Sequence, residues 1–197
     1  MTKARLEAFS DGVIAILITI MVLELKVPRG SDWAALDAIL PEFLTYVLSF
    51  LFLGIYWSNH HHMLHLAGSI GGAILWANLH LLFWLSLVPV GTGWMGTHSS
   101  APVPTAVYGG ILLAAGVAYL ILQGAIVARQ GKDSKLKVAI GRDIKGKLSA
   151  ALYVLAIVLA FYGPWISDLI YVSVAMMWLV PDRRIESNLE GEGGLPG

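Results

Sequence analysis

The chain has 197 residues, of which 57% are hydrophobic and only 13% charged, and its formal net charge is +0. A soluble domain carries about a quarter charged residues, whereas here no Asp, Glu, Lys or Arg occurs from residue 43 to residue 128. This composition predicts an integral membrane protein and excludes a soluble enzyme, a nucleic-acid binder and a disordered chain. The absence of cysteine excludes a disulfide framework and thiolate chemistry.

Six segments are candidates for membrane-spanning helices, each of which needs about 20 mainly apolar residues. We expect them at residues 5–25, 42–66, 70–89, 105–128, 147–162 and 165–180. Gly163 and Pro164 leave almost no loop between the last two, which predicts a tight hairpin of two short helices. The predicted fold is therefore an all-α, polytopic membrane protein, with one domain over residues 1–185 and a flexible tail over residues 186–197.

The distribution of Lys and Arg predicts the orientation of these segments. Of the 13 Lys and Arg residues, all except Lys26 and Arg29 fall on the side that holds both termini. Between the fourth and fifth segments lie Arg129, Lys132, Lys135, Lys137, Arg142, Lys145 and Lys147. Because cytoplasmic loops carry an excess of Lys and Arg, both termini are expected in the cytoplasm. Binding of anionic lipid headgroups is a secondary possibility for the same loop.

The first segment is unusual because it carries Arg5, Glu7, Ser10 and Asp11 near its start. Ionisable groups are costly inside a bilayer and normally face a partner, water or the interface. Arg5 and Glu7 are close enough to the start for their side chains to extend to the interface. Asp11 lies deeper and has a shorter side chain, so it is expected to have a partner within the protein.

Beyond Asp11 this segment presents an apolar stripe. Ile16, Ile20 and Leu23 fall at positions i, i+4 and i+7, and Thr19 lies on the same face. Such a stripe in a membrane helix usually marks packing or lipid contact, so the spacing alone does not favour a pore lining.

All six histidines lie in the charge-free stretch, at positions 60, 61, 62, 65, 80 and 98. His61 and His65 are four residues apart, a spacing compatible with shared metal ligation, but no Cys or carboxylate accompanies them. We instead predict a hydrogen-bonded network near the cytoplasmic interface, whose protonation could respond to pH. Its candidate members are His60, His61, His62, His65, Asn78 and His80. No cofactor and no resident metal is predicted.

The beginning of the first segment, Arg5-Leu-Glu-Ala-Phe9-Ser10-Asp11, matches the pattern Arg-x-x-x-Phe-Ser-Asp. In this position the pattern resembles the signature of the transmembrane protein 175 family, which contains potassium channels. The resemblance continues along the chain: Gly12 and Val13 follow the motif, Trp57 precedes His60–His62, and Asn78 and Pro89 mark the third helix.

The resemblance implies potassium conduction without a P-loop, through a central pore lined by the first helix of each subunit. It implies that a chain with one six-helix repeat assembles as a homotetramer. Ile16 is then expected to form the narrowest apolar ring, with Thr19, Ile20 and Leu23 as further lining positions and Thr19 as a selectivity layer. Arg5, Phe9, Ser10 and Asp11 are expected to hold the first helix against its neighbours.

The predicted function is therefore a potassium-selective, homotetrameric channel of the plasma membrane, with potassium ions and the lipid bilayer as its partners, and not an enzyme. One alternative is a proton-coupled or secondary transporter that uses Asp11 and the histidines. Another is a membrane enzyme with a histidine-based metal site. A transporter usually places a charged residue near the midplane, and the absence of one between Gly12 and Leu23 favours a channel.

Overall fold

The computed structural model describes residues 2–131, 134–141 and 143–179. Within these ranges it contains helices and no β-strand, which confirms the all-α prediction. The helices are α1 (Lys3–Met21), α2 (Trp33–His65), α3 (Gly72–Ser86), α4 (Val88–Thr97), α5 (Pro102–Gln130), α6 (Lys135–Ile140), α7 (Ile144–Leu159) and α8 (Pro164–Leu179). The predicted tail at 186–197, together with Lys132, Arg142, Arg183 and Arg184, lies outside the described residues.

The first two helices begin at side-chain caps. The Thr2 hydroxyl accepts a hydrogen bond from the Arg5 backbone N–H at 3.4 Å, and Asp32 Oδ1 accepts one from the Ala35 N–H at 3.0 Å. The cap at Asp32 starts α2 at Trp33, nine residues before the predicted start at residue 42. Pro41 lies inside α2, where it removes one backbone hydrogen bond but does not end the helix. The predicted start of the second segment at residue 42 was therefore wrong.

The third predicted segment continues past Pro89, where it was expected to end. α3 ends at Ser86, a single residue interrupts it, and α4 runs to Thr97. Pro89 occupies the first turn of α4, where a missing N–H costs nothing because that group has no partner within the helix. The proline therefore marks a new helical start instead of an end.

The second half of the chain contains one helix that was not predicted. Ser134 caps the six-residue α6 by accepting a hydrogen bond from the Lys137 N–H at 3.2 Å. The tight hairpin of α7 and α8 is present as predicted, with Gly163 before the first residue of α8. Ser167 Oγ donates to the Ala156 carbonyl at 2.7 Å and joins the two helices.

Among the described residues, four helical segments are long and apolar enough to cross a membrane: Lys3–Glu24, Trp33–His65, Gly72–Thr97 and Pro102–Gln130. The first of these segments consists of α1 and the 3-10 turn Val22–Glu24 that follows it. The third consists of α3 and α4. α7 is a helix of 16 residues at the fifth predicted segment, and α8, at the sixth, is described over 16 residues, as far as Leu179. The chain is thus an all-α, multi-pass membrane protein.

Two hydrophobic cores share α2 and α5. One joins residues of α1, α2, α3 and α5, and the other joins α2 and α5 to α7 and α8. The second core requires a glycine at position 109 of α5, because a Cβ there would collide with the Tyr171 hydroxyl of α8. That hydroxyl donates to the Thr105 carbonyl at 2.9 Å, so the two helices lie in close contact.

The start of α1 and the ends of α2 and α5 meet at one end of the helical bundle. Lys3 Nζ donates to the His65 carbonyl at 2.6 Å, and Gln130 Nε2 donates to the Leu66 carbonyl at 2.6 Å. The opposite end holds Lys26, whose ammonium lies 3.6 Å from Glu42 Oε1. We call the first of these the basic end, because the segment from Arg129 to Lys147 follows α5 there.

Candidate pore helix and its supporting contacts

One face of α1 packs against the rest of the chain. Its buried residues recur every three or four positions, as expected for one side of a helix. They are Leu6, Ser10, Ile14, Leu17 and Met21. The four apolar members belong to the core shared with α2, α3 and α5. The spacing of these residues fixes how α1 is rotated within the subunit.

The opposite face of α1 has no cover within the described chain. Ile16 is 56% exposed and Ile20 42%, and Thr19 is also exposed. Leu23, in the 3-10 turn that continues α1, is 79% exposed. All four predicted pore-lining residues therefore lie on one apolar face. A contiguous exposed apolar face marks a contact with lipid or with another protein.

Ser10 of the sequence motif begins a buried polar network. Ser10 Oγ donates to the Leu6 carbonyl at 2.9 Å and accepts from Asn78 Nδ2 at 3.0 Å. Asn78 Oδ1 lies 2.7 Å from His60 Nε2, and because the amide oxygen can only accept, this His60 nitrogen carries the proton. The network joins α1, α3 and α2, and all three side chains are buried.

The other motif residues have different surroundings. Asp11 Oδ1 accepts a hydrogen bond from the Trp57 indole N–H at 3.0 Å, which is the internal partner expected for this carboxylate. Phe9 is exposed. The structure records no side-chain hydrogen bond or ion pair for Arg5 with any residue that it describes. Within the described chain, Ser10 and Asp11 thus connect α1 to α3 and α2 by hydrogen bonds.

The Thr19 hydroxyl is oriented by its own helix. Thr19 Oγ1 donates toward the carbonyls of Ala15 at 3.1 Å and Ile16 at 2.9 Å. Its single proton is therefore engaged with the backbone, and the oxygen lone pairs remain available on the exposed face. A hydroxyl held in this way presents an acceptor, which is the group that a cation needs.

The six candidate network residues separate into distinct groups. His60 and Asn78 are hydrogen-bonded to each other, whereas His61 contacts the rings of His62 and His65. His80 accepts from the Trp84 indole N–H at 3.0 Å, within α3. Among the described residues, no group of three or more His, Cys, Asp or Glu side chains is arranged to hold a metal ion.

A second buried polar cluster was not predicted from the sequence. Thr92 Oγ1 of α4 lies 2.7 Å from Ser49 Oγ of α2, which lies 2.8 Å from the Tyr108 hydroxyl of α5. Thr92 also lies 3.9 Å from Met21 Sδ, on the buried face of α1. The only signal in the sequence is a set of hydroxyl residues inside apolar helices. Their meeting depends on the packing of three helices, which the sequence pattern does not fix.

Known proteins resemble this chain over nearly its whole length. The family description "Endosomal/lysosomal potassium channel TMEM175" matches residues 5–89. A protein of Chryseobacterium sp. (strain P1-3), named as a potassium channel, is 55% identical over 190 residues, which cover 96% of this chain and 99% of that protein. A rat protein, named as the endosomal/lysosomal proton channel TMEM175, is 42% identical over 75 residues, or 32% of this chain and 15% of the rat protein.

A solved structure shares the helical arrangement. The crystal structure of the lysosomal potassium-selective channel TMEM175 homologue from Chamaesiphon minutus superimposes with a TM-score of 0.80 at 29% sequence identity. The match covers 90% of this chain and 96% of that one. These similarities extend well beyond the motif at residues 5–11, and this chain is a member of the TMEM175 family.

Proposed function

We propose that this chain is a subunit of a potassium-selective channel whose pore is lined by α1. The observation that carries the proposal is the uncovered face of α1 with Ile16, Thr19, Ile20 and Leu23, in a chain that is 55% identical to a protein named as a potassium channel. The relatives are named as channels, so no enzymatic reaction is proposed.

A pore lined by α1 requires several subunits, because a single helix cannot enclose an aqueous path. We propose a homotetramer in which four copies of α1 surround the axis. In this arrangement the uncovered face points to the axis, and the buried face packs against α2, α3 and α4 of its own subunit. The single domain over residues 1–185 forms one such subunit.

The residues of the uncovered face would then act in sequence along the pore. Four Ile16 side chains form an apolar ring that limits passage by steric contact and dewetting. One turn further, four Thr19 oxygens replace part of the hydration shell of the ion. Potassium loses water more easily than sodium, so partial dehydration at this point favours potassium. Ile20 and Leu23 continue the apolar wall.

We further propose that the channel lies in the cell membrane with its basic end in the cytoplasm. The excess of Lys and Arg on the side of both termini supports this orientation. The contacts of Lys3 with His65 and of Gln130 with Leu66 support it too, because they gather the start of α1 and the ends of α2 and α5 at one end of the bundle.

The test is ion flux into liposomes that contain only the purified chain, with protein-free liposomes as the control. We expect potassium flux to exceed sodium flux, and crosslinking in mild detergent to give a tetramer. Equal flux of both ions would contradict selectivity. A maximum of two subunits after exhaustive crosslinking would contradict the central pore.

Proton transport is the second candidate function, because the rat relative is named as a proton channel. Asp11 and His60 are the ionisable groups for such a path, but both are hydrogen-bonded within the subunit, to Trp57 and Asn78. We expect Asp11→Asn to leave potassium flux in place. A proton flux that disappears in this variant while potassium flux remains would favour a separate proton path.

A further inference from the structure

The connection between α5 and α7, residues 129–147, concentrates positive charge at one end of the molecule. This basic connector holds seven Lys and Arg residues against the two carboxylates Asp133 and Asp143. Arg129, Lys137 and Lys147 are exposed. Arg129 Nε also donates to Ser69 Oγ at 3.0 Å, in the loop between α2 and α3. Among the described residues, Arg129 thus places positive charge next to the ends of α2 and α5.

The basic connector is amphipathic as well as basic. Leu136 of α6 is buried and belongs to the core that contains α1. Val138 is 78% exposed beside Lys137, and Ile144 is 67% exposed near the start of α7. Apolar side chains exposed among lysines, directly after a helix that spans the membrane, fit the boundary between headgroups and hydrocarbon.

Hydrogen bonds connect the basic connector to the start of α1. Ser134 Oγ donates to Gln130 Oε1 at 2.6 Å, and Gln130 Nε2 donates to the Leu66 carbonyl at 2.6 Å. The preceding carbonyl, of His65, accepts from Lys3 Nζ at 2.6 Å. The connector and α1 therefore hydrogen-bond to two successive carbonyls at the end of α2.

We propose that the basic connector binds the headgroups of anionic phospholipids, and that lipid binding stabilises the position of α1 through Gln130 and the end of α2. Charge complementarity supports the lipid, and exposed Val138 and Ile144 supply the apolar contact that a free anion would not use. Binding is independent of the proposed channel function, whereas its effect on ion flux rests on that function.

The first experiment measures binding alone, by native mass spectrometry of the purified chain with phosphatidylglycerol or phosphatidylcholine. We expect a preference for phosphatidylglycerol, and a loss of about fivefold in apparent affinity for each charge removed in K137Q and K147Q. The matched control is R29Q, an exposed cation at the opposite end, which should change nothing.

Three results of this experiment would overturn the proposal. They are equal binding of the two lipids, unchanged binding by the double variant K137Q/K147Q, and displacement of phosphatidylglycerol by inorganic phosphate at comparable concentration. The last would identify a free anion as the ligand. Gel filtration of each variant shows whether it is folded, and the single variants K137Q and K147Q remain informative if the double variant is not.

The second experiment compares potassium flux in vesicles of phosphatidylcholine with and without phosphatidylglycerol. An anionic membrane also concentrates potassium near its surface, but that effect is equal for every variant in the same vesicles. We expect the increase in flux to be lost in K137Q/K147Q and in Q130L, and to remain in R29Q. Q130L should retain lipid binding, because Gln130 carries no charge. An increase that persists in Q130L would overturn the proposed transmission through Gln130.

Discussion

The two faces of α1 differ in chemistry and in what holds them. The buried face contains Ser10 in a hydrogen-bonded network with Asn78 and His60, and its apolar residues fill a core. The uncovered face has no such contacts: Ile16 and Leu23 are exposed, and the Thr19 proton bonds only to its own helix.

This difference separates the residues that define the subunit from those available for a channel. Substitutions on the buried face should reduce the stability of the subunit. Substitutions on the uncovered face should leave the subunit folded and change conduction or assembly. The four predictions below test this separation, in order of decreasing expected effect.

The largest effect is expected from Asn78→Leu on the buried face. It leaves His60 Nε2 and Ser10 Oγ without their partner in an apolar environment, at a cost of about 2 kcal/mol, or roughly 30-fold in the folding equilibrium. We expect a clearly lower midpoint of thermal unfolding for the detergent-solubilised protein. The control is Asn59→Leu, because Asn59 Nδ2 donates only to the Ile55 carbonyl of its own helix. Equal effects of both changes would contradict a special role of the network.

Ile16→Asn should raise potassium flux in liposomes about tenfold, which corresponds to a barrier lowered by about 1.4 kcal/mol. Asparagine has as many side-chain heavy atoms as isoleucine, but its polar amide allows water to enter the constriction. Ile121 of α5 offers a matched control, since it is the same residue type at 48% exposure on another helix. Ile121→Asn should not raise flux. A similar increase in both variants would indicate a nonspecific leak.

Arg5→Ala should weaken subunit association about fivefold, or about 1 kcal/mol, as expected for a partly exposed ion pair. Arg5 has no side-chain partner among the described residues of its own chain, and we expect that partner in a neighbouring subunit. Tetramer yield after crosslinking measures the effect, and Arg29→Ala, in the loop between α1 and α2, is the control. Normal assembly with altered ion selectivity would instead place Arg5 in the conduction path.

Thr19→Val should lower the ratio of potassium to sodium flux about threefold, because the shape is kept and one oxygen per subunit is lost. Thr19→Ser retains the oxygen and should preserve the ratio. Both variants must first be shown to assemble. An unchanged ratio in assembled Thr19→Val would remove the hydroxyl layer from the mechanism.

Each of the six segments predicted from the sequence contains a helix in the described part of the chain, because charge-free runs and Gly-Pro breaks are strong local signals. The start of the second segment, predicted at residue 42, and the end of the third, predicted at residue 89, were misplaced, and each lies at or next to a proline. Proline excludes only certain hydrogen bonds, and the structure places Pro41 within α2 and Pro89 in the first turn of α4. Whether a helix continues around a proline depends on caps and packing.

The candidate site was only partly predictable from the sequence. The motif identified α1, and helical spacing placed Ile16, Thr19 and Leu23 on one face. The spacing did not indicate which face the subunit buries, because apolar residues occur on both. Contacts between side chains of different helices could not be predicted from the sequence either. Asn78 was a candidate partner of the histidines, but its contact with Ser10 depends on tertiary packing, as does the separate position of His80.

The length of α7 has a consequence for the mechanics of the surrounding bilayer. Its 16 residues reach about 24 Å, whereas the hydrocarbon core of a typical bilayer is about 30 Å thick. A helix shorter than the hydrocarbon core is accommodated by local thinning of the bilayer, by flanking side chains that extend to the interface or by association with other helices, at a cost of fractions of a kcal/mol per Å. A membrane with short acyl chains would reduce this cost, so α7 would favour such membranes.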